Sequence, residues 1–167
     1  AERLSGNIVA ALGVLRDVPQ FAPVIDLIDT TGAIAPHIAD LTELFARVYL
    51  ANARDIPTTI AFIHAVTSHA ALGNIVPFVG ETTARETLRH AWQSGAALYA
   101  CYGGGVATAE AVEPYDGTAE ALAEAAIEHG DEHVIKFTEA CLNRHAISAA
   151  TPYFAAARHV GGMVRRR

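Results

Sequence analysis

Apolar residues recur at intervals of three and four along most of the chain, which is the spacing that gathers them on one face of a helix. The clearest run comprises Leu41, Leu44, Phe45, Val48 and Tyr49. It opens near Pro36 and should stop before Pro57, because the residue ahead of a proline avoids the helical region. No segment of the sequence alternates as a half-buried strand does. The pattern therefore predicts an all-α protein, a bundle or orthogonal array of about seven or eight helices in one domain over residues 1–167.

Two segments, residues 58–72 and 131–144, are apolar over nearly the whole helical circumference and should be central. In the second segment, Asp131 is a plausible N-cap and Arg144 falls in the last turn. The polar residues of that helix form a narrow strip with His133 at its edge, namely Glu132, Lys136, Glu139 and Asn143. Such a strip faces either a thin band of solvent or a polar cavity.

Turn signals separate the remaining helices. Residues 73–80 and the glycines at 103–105 are breaks, and residues 106–117 form the longest irregular stretch. Thr83 and Glu86 have the spacing of a capping box, which would start a helix there. The Thr151-Pro152 pair predicts a last short helix.

Composition and charge narrow the class of protein. Of the 167 residues, 51% are hydrophobic and 18% are charged, which is typical of a globular chain. The formal net charge of −6 argues against nucleic acid as a partner. Cys101 and Cys141 are too far apart in sequence for a zinc motif, so we interpret them as reduced core residues. The sequence contains no uninterrupted run of about 18 apolar residues, so it predicts no membrane span. We expect a cytoplasmic protein without a membrane partner.

The polar strip leaves two interpretations open. Glu132 lies four residues before Lys136, the favourable orientation for a surface ion pair that contributes only about 0.2–0.5 kcal/mol. Alternatively, His133 and Lys136, one turn apart, point into a common site. His129 also lies four residues before His133, the spacing of a two-histidine metal pair, but Gly130 and Asp131 between them indicate a helix boundary.

A second histidine of interest lies in the 58–72 segment. Helical projection places His64 on one face with Thr67 and Ser68, and His69 about 140° away, so these two histidines cannot share a metal. A lone histidine on a buried helix is more often a hydrogen-bonded core residue. The sequence contains no GxSxG, CxxC or GxGxxG motif that would predict another chemistry.

Three blocks in order carry a family resemblance: AFIHAVT at 61–67, HAWQSGAALYACYG at 90–103 and GDEHVIKFTEA at 130–140. Together with LTELFARVYL at 41–50, they resemble the C-terminal half of questin oxidase-like proteins over roughly residues 37–145. The resemblance implies a helical, metal-dependent oxidoreductase. Its expected activity is a Baeyer–Villiger-type or ring-cleaving oxygenation, as a monooxygenase or dioxygenase, of a small apolar or aromatic, polyketide-like substrate.

The resemblance also implies a non-heme iron bound by histidines and a carboxylated lysine. Matched to the motifs, the metal ligands would be His64, His133 and Lys136. A protonated lysine is a poor ligand, whereas addition of carbon dioxide to its amine gives an anionic oxygen ligand. Further histidine ligands are expected in the N-terminal half of family chains, so we expect a homo-oligomer or a partner half. NADPH is the candidate co-substrate, although the sequence shows no motif that binds it.

Two other classes of function remain open. A non-catalytic helical ligand-binding module would hold an apolar ligand in a cavity lined by Phe62, Trp92 and Tyr99. An oligomerisation module would instead expose a large apolar face.

Overall fold

The computed structural model describes residues 8–106 and 112–166, and every regular element in those ranges is a helix. The α-helices are α1 Ile8–Gly13, α2 Ile34–Asn52, α3 Ile56–Ile75, α4 Glu81–Tyr102, α5 Ala119–His129, α6 Glu132–Ser148 and α7 Thr151–Met163. Short 3-10 helices span Val14–Asp17, Pro19–Leu27 and Val76–Phe78. The predicted all-α bundle of about seven or eight helices is confirmed.

The main core lies where α2, α3, α6 and α7 meet. Its largest fully buried side chains are Phe45, Tyr49, Phe62, Phe137 and Tyr153. A smaller cluster between α2, α3 and α4 contains Ile34, Ile38, Leu41, Leu72, Ala84 and Leu88. Helix α3 contributes to both clusters and packs against α2, α4 and α6, so its prediction as a central helix is correct.

The starts of α3 and α6 follow from local side-chain chemistry. Asp55 caps α3 by accepting a hydrogen bond from the main-chain N–H of Thr58 at 3.0 Å, and Oγ1 of Thr58 accepts one from the main-chain N–H of Asp55 at 3.3 Å. Gly130 takes a left-handed φ of 79°, which ends α5. Asp131 then caps α6 by accepting from the N–H of His133 at 2.9 Å. These caps define the first turns of α3 and α6, and the two helices pack against each other.

Two predicted boundaries are wrong. Helix α4 begins at Glu81 after Gly80, so Thr83 and Glu86 lie inside the helix and form no capping box. Helix α6 continues past Arg144 to Ser148 and ends at Ala149, which has a φ of 53°. Arg144 therefore lies inside the helix, and its guanidinium donates to the carbonyl of Ala70 on α3 at 2.8 Å.

Helix α3 also has the character of a membrane span by length and composition alone. In the described residues, Ile56–Phe78 passes that test, and half of its most apolar window is buried against the rest of the protein. The Ile8–Asp17 and Pro19–Leu27 pair qualifies only if two helices bent by 102° are counted together. A single such helix is weak support for a membrane protein, because the central helix of a bundle has the same composition.

Candidate metal centre

His64 on α3 and His133 on α6 lie next to each other where the two helices pack. Their ring centroids are 5.9 Å apart and the ring planes are inclined by 59°. His64 is exposed, and the His133 side chain is 31% exposed, so solvent reaches the pair. The two residues are 69 positions apart in sequence, so it is the packing of α3 on α6 that makes them neighbours.

Hydrogen bonds fix the proton position on each ring. Nδ1 of His64 lies 2.7 Å from the main-chain oxygen of Ile60, which can only accept, so this nitrogen carries the proton. Nδ1 of His133 lies 3.2 Å from Oδ1 of the buried carboxylate of Asp131 and donates to it. In the neutral form of each ring, the lone pair therefore lies on Nε2, the atom through which histidine commonly binds a metal. The carboxylate behind His133 also raises its strength as a ligand.

Lys136 occupies a different position from the two imidazoles. Its Nζ donates to Oε2 of Glu132 at 2.8 Å, and these side chains are 67% and 54% exposed. This is the solvated i, i+4 pair that the sequence offered as the alternative to a metal ligand. In this conformation the amine is paired with Glu132. The role of Lys136 as a metal ligand stays a prediction.

A small polar pocket of about 170 Å³ lies in the groove between α3 and α6, and neither histidine of the pair lines it. Its polar lining comes from Thr67, Asn74, Lys136, Glu139, Asn143 and Arg144. Thr67 and Lys136 each lie one turn beyond a histidine of the pair. The groove thus offers hydroxyl, amide, carboxylate and cationic groups beside small apolar side chains, where an apolar substrate had been expected.

The pair is a partial ligand set. Within residues 8–106 and 112–166, no group of three or more His, Cys, Asp or Glu side chains is arranged to hold a metal. Asp131 is engaged by His133 through both main chain and ring. The residues present therefore fit a metal as two imidazole nitrogen donors, and a complete site needs further ligands.

Other candidate residues are committed elsewhere. His129 is buried, and its Nε2 bonds the carbonyl oxygen of Val164 at 2.9 Å, so it forms no metal pair with His133. His69 is fully buried, donates from Nδ1 to the Ala65 carbonyl at 2.6 Å and stacks on Phe45. Burial lowers the pKa of His69, so this ring stays neutral.

The structure also shows the state of the two cysteines and the positions of the aromatic residues that were expected to line one cavity. Both cysteines are free thiols, and Cys141 is buried, which raises its pKa. Phe62 lies inside the main core, whereas Trp92 packs on the smaller cluster and donates from Nε1 to the carbonyl of Val24 at 2.8 Å. The aromatic residues expected to line one apolar cavity are therefore divided between two clusters.

Sequence reasoning missed the part played by Asp131 in the site. It was identified as an N-cap, and the same oxygen also orients His133. The signal was the Asp-x-His spacing at the start of a helix, which brings the cap and the ring within reach of each other. No protein family, no curated protein and no solved structure matches this chain at a significant level.

Proposed function

We propose that this chain supplies the metal-binding histidines of a non-heme iron oxygenase similar to questin oxidase-like proteins. His64 and His133 would hold the metal through Nε2, and Lys136 is the candidate third ligand. The expected reaction is the oxygenation of an aromatic, polyketide-like substrate. When bound, the iron would supply the activation of oxygen that no side chain can perform alone.

One observation carries this proposal: the two motif histidines, far apart in sequence, come together, and neither Nε2 is hydrogen-bonded within residues 8–106 and 112–166. The residues around them have supporting tasks. Asp131 holds the His133 ring in one orientation, and Ile60 does the same for His64 through its carbonyl oxygen. The polar groove beyond the pair, lined by Thr67 and Lys136 among others, would receive oxygen-bearing groups of the substrate.

Lys136 needs a change of partner to become a ligand. Reaction of its neutral amine with carbon dioxide forms a carbamate and releases a proton, so the side chain gains a negative charge. A negative carbamate is repelled by Glu132, which lies 2.8 Å from the amine in the present pair. The repulsion would release the side chain, whose exposure leaves it free to turn.

The remaining ligands would come from a second copy of the chain or a partner half. Apolar side chains remain exposed on α6, at the end of α3 and in the 3-10 helix that follows it, including Ile147, Ile75 and Phe78. Exposed apolar residues of this size are common at protein–protein contacts. We therefore expect the isolated chain to bind iron weakly and to show little oxygenase activity.

The test is an anaerobic titration with ferrous iron, measured by calorimetry, of the wild type and of His64→Ala and His133→Ala. Each variant should lower affinity on the order of tenfold or more, with the melting temperature nearly unchanged, because both rings are partly exposed. His90→Ala, which changes an exposed histidine on α4, is the matched control. Equal affinities in all four proteins would overturn the proposal.

A metal-free helical binding module is the second candidate, favoured by the Glu132–Lys136 ion pair and by the polar groove beside it. In that case the histidines would contact a ligand directly by hydrogen bonds. The same titration separates the two functions, because a metal-free module shows no saturable iron binding that depends on His64 and His133.

A further inference from the structure

An open cleft of about 420 Å³ lies on another part of the molecule, between α7, the end of α2 and the segment that follows residue 111. Its walls include Leu50, Val112, Glu113, Tyr115, Arg158 and His159. The histidine pair described above contributes no residue to this cleft. Its chemistry is therefore independent of the proposed metal centre.

The protonation of His159 is set by a buried phenol. Tyr49 is fully buried, and its hydroxyl lies 3.1 Å from Nδ1 of His159. A buried hydroxyl must donate its proton, and this nitrogen is its acceptor. Burial also lowers the pKa of His159, so the ring is neutral at pH 7. The imidazole that lines the cleft therefore carries its proton on Nε2 and can donate one hydrogen bond.

Arg158 supplies the charge of the cleft. Its guanidinium carbon lies 5.8 Å from the centroid of the Tyr115 ring. In the described ranges, no ion pair joins this guanidinium to a carboxylate. Tyr115 is itself supported by an edge contact with Phe154, at 6.2 Å between centroids. The cleft thus combines one cation, one carboxylate (Glu113), one neutral N–H donor and an aromatic wall.

We propose that this cleft binds a small organic monocarboxylate with an aromatic or other apolar body. Arg158 and the Nε2–H of His159 would donate to the two carboxylate oxygens, since a guanidinium matches a carboxylate in shape and charge. Tyr115 and Leu50 would contact the apolar body. The carboxylate of Glu113 in the same wall disfavours ligands with two or more negative charges, so phosphate is a poorer match than a monocarboxylate.

The test uses benzoate as the probe and benzamide, its neutral analogue of the same shape, as the comparison. Binding is followed by the NMR signals of the histidine rings in the full chain. Benzoate should shift the His159 ring signals in a saturable way, and benzamide should not. Arg158→Gln should weaken benzoate binding on the order of tenfold or more, because it removes a charge-assisted hydrogen bond. Arg158 is exposed, so this variant should fold normally.

Two controls make the result specific. Arg16 lines a separate cleft of about 410 Å³ beside the Pro19–Leu27 segment, so Arg16→Gln changes an arginine in a cleft of similar size. It should leave the benzoate affinity unchanged, as should His133→Ala. The proposal is overturned if benzoate produces no saturable shift at His159, or if Arg16→Gln weakens binding as much as Arg158→Gln does. His133→Ala changes the metal centre and leaves the cleft unaltered. Loss of benzoate binding and loss of iron binding are therefore separate results, and either proposal can fail without the other.

Discussion

One carboxylate oxygen of Asp131 accepts two hydrogen bonds from His133, from its main-chain N–H at 2.9 Å and from ring Nδ1 at 3.2 Å. The first bond caps α6, and the second sets the orientation of the ring. The start of the helix and the geometry of the candidate metal centre therefore depend on the same atom. The cap needs only an oxygen acceptor, whereas the bond to the ring is stronger when that oxygen is charged. A substitution that keeps the oxygen but removes the charge can therefore separate the two roles.

We predict that Asp131→Asn will keep most of the stability but lose metal affinity. Asparagine caps a helix about as well as aspartate, so the unfolding free energy should change little. It is a weaker acceptor for the ring N–H because it lacks the charge, and changes to such supporting residues cost about 10–100-fold in metal affinity. Iron titration and urea unfolding of the same variant measure both effects.

Asp131→Ala is the matched comparison. It should lose both functions, with about 0.5–2 kcal/mol of stability removed along with the cap. If Asp131→Ala keeps wild-type metal affinity, the carboxylate does not orient His133 for a metal, and Asp131 is a helix cap alone.

A second prediction concerns Lys136. If its carbamate is a ligand, added bicarbonate should increase the iron affinity of the wild type but not that of Lys136→Arg, whose guanidinium forms no stable carbamate. Stability should hardly change, because Lys136→Arg retains a cation opposite Glu132 and the exposed pair contributes only about 0.2–0.5 kcal/mol. Titrations with and without bicarbonate measure the difference. An equal bicarbonate effect in both proteins would exclude Lys136 as the ligand.

A third prediction tests the packing of α4 on α2. Gly95 lies directly against the ring of the buried Phe45, and a Cβ at this position would collide with the ring. Phe45 cannot move away easily, since it stacks on His69 with 4.8 Å between centroids. Gly95→Ala should therefore destabilise the fold by about 1–3 kcal/mol, the usual cost of overpacking, less the gain in helix propensity.

Gly161 on α7 provides the control for Gly95. A Cβ added there meets no atom within 4 Å, and its backbone does not adopt a positive φ. Gly161→Ala should stabilise the protein by up to about 1 kcal/mol through helix propensity alone. Melting temperatures that move in the same direction for both variants would contradict the assigned contact between Gly95 and Phe45.

The sequence predicted the fold well because helical periodicity is a local signal. It identified the helix around Leu41 to Tyr49, the central helix that contains His64, and the N-cap at Asp131. It failed where the determining contact is distant in sequence. The sequence predicts Arg144 in the last turn of α6, but the helix continues to Ser148 and the guanidinium donates to the distant carbonyl of Ala70, which periodicity within α6 does not reveal.

The candidate site also combines features that local sequence patterns predict with contacts between distant residues that they do not predict. Spacing alone suggested His129 and His133 as a pair, whereas the positive φ of Gly130 turns the chain and leaves His129 bonded to Val164. The pairing of His64 with His133 required the family resemblance, because nothing in the local pattern of either helix determines how α3 meets α6. The Tyr49–His159 contact joins residues 110 positions apart and gave no sequence signal at all.

The last prediction is a loss of stability in mild acid that originates at His69. The folded protein buries this ring, with Nε2 facing the backbone of Ala91 without completing a hydrogen bond. Burial lowers its pKa below the unfolded value of about 6.5, so below that pH the unfolded chain binds a proton at this ring that the folded chain does not. The unfolding free energy should therefore be fully retained above about pH 6.5 and should fall as the pH drops, by at most about 1.4 kcal/mol per pH unit for one proton. The pKa of His159 is also lowered by burial, so His159 adds to the dependence of stability on pH.

The contribution of His69 is measured by urea unfolding of the wild type and of His69→Leu at several pH values between about 7.5 and about 5. The variant should show a shallower pH dependence, whereas His90→Leu, at an exposed position, should retain the wild-type slope. Parallel curves for the wild type and His69→Leu would show that His69 does not control the acid sensitivity of the fold.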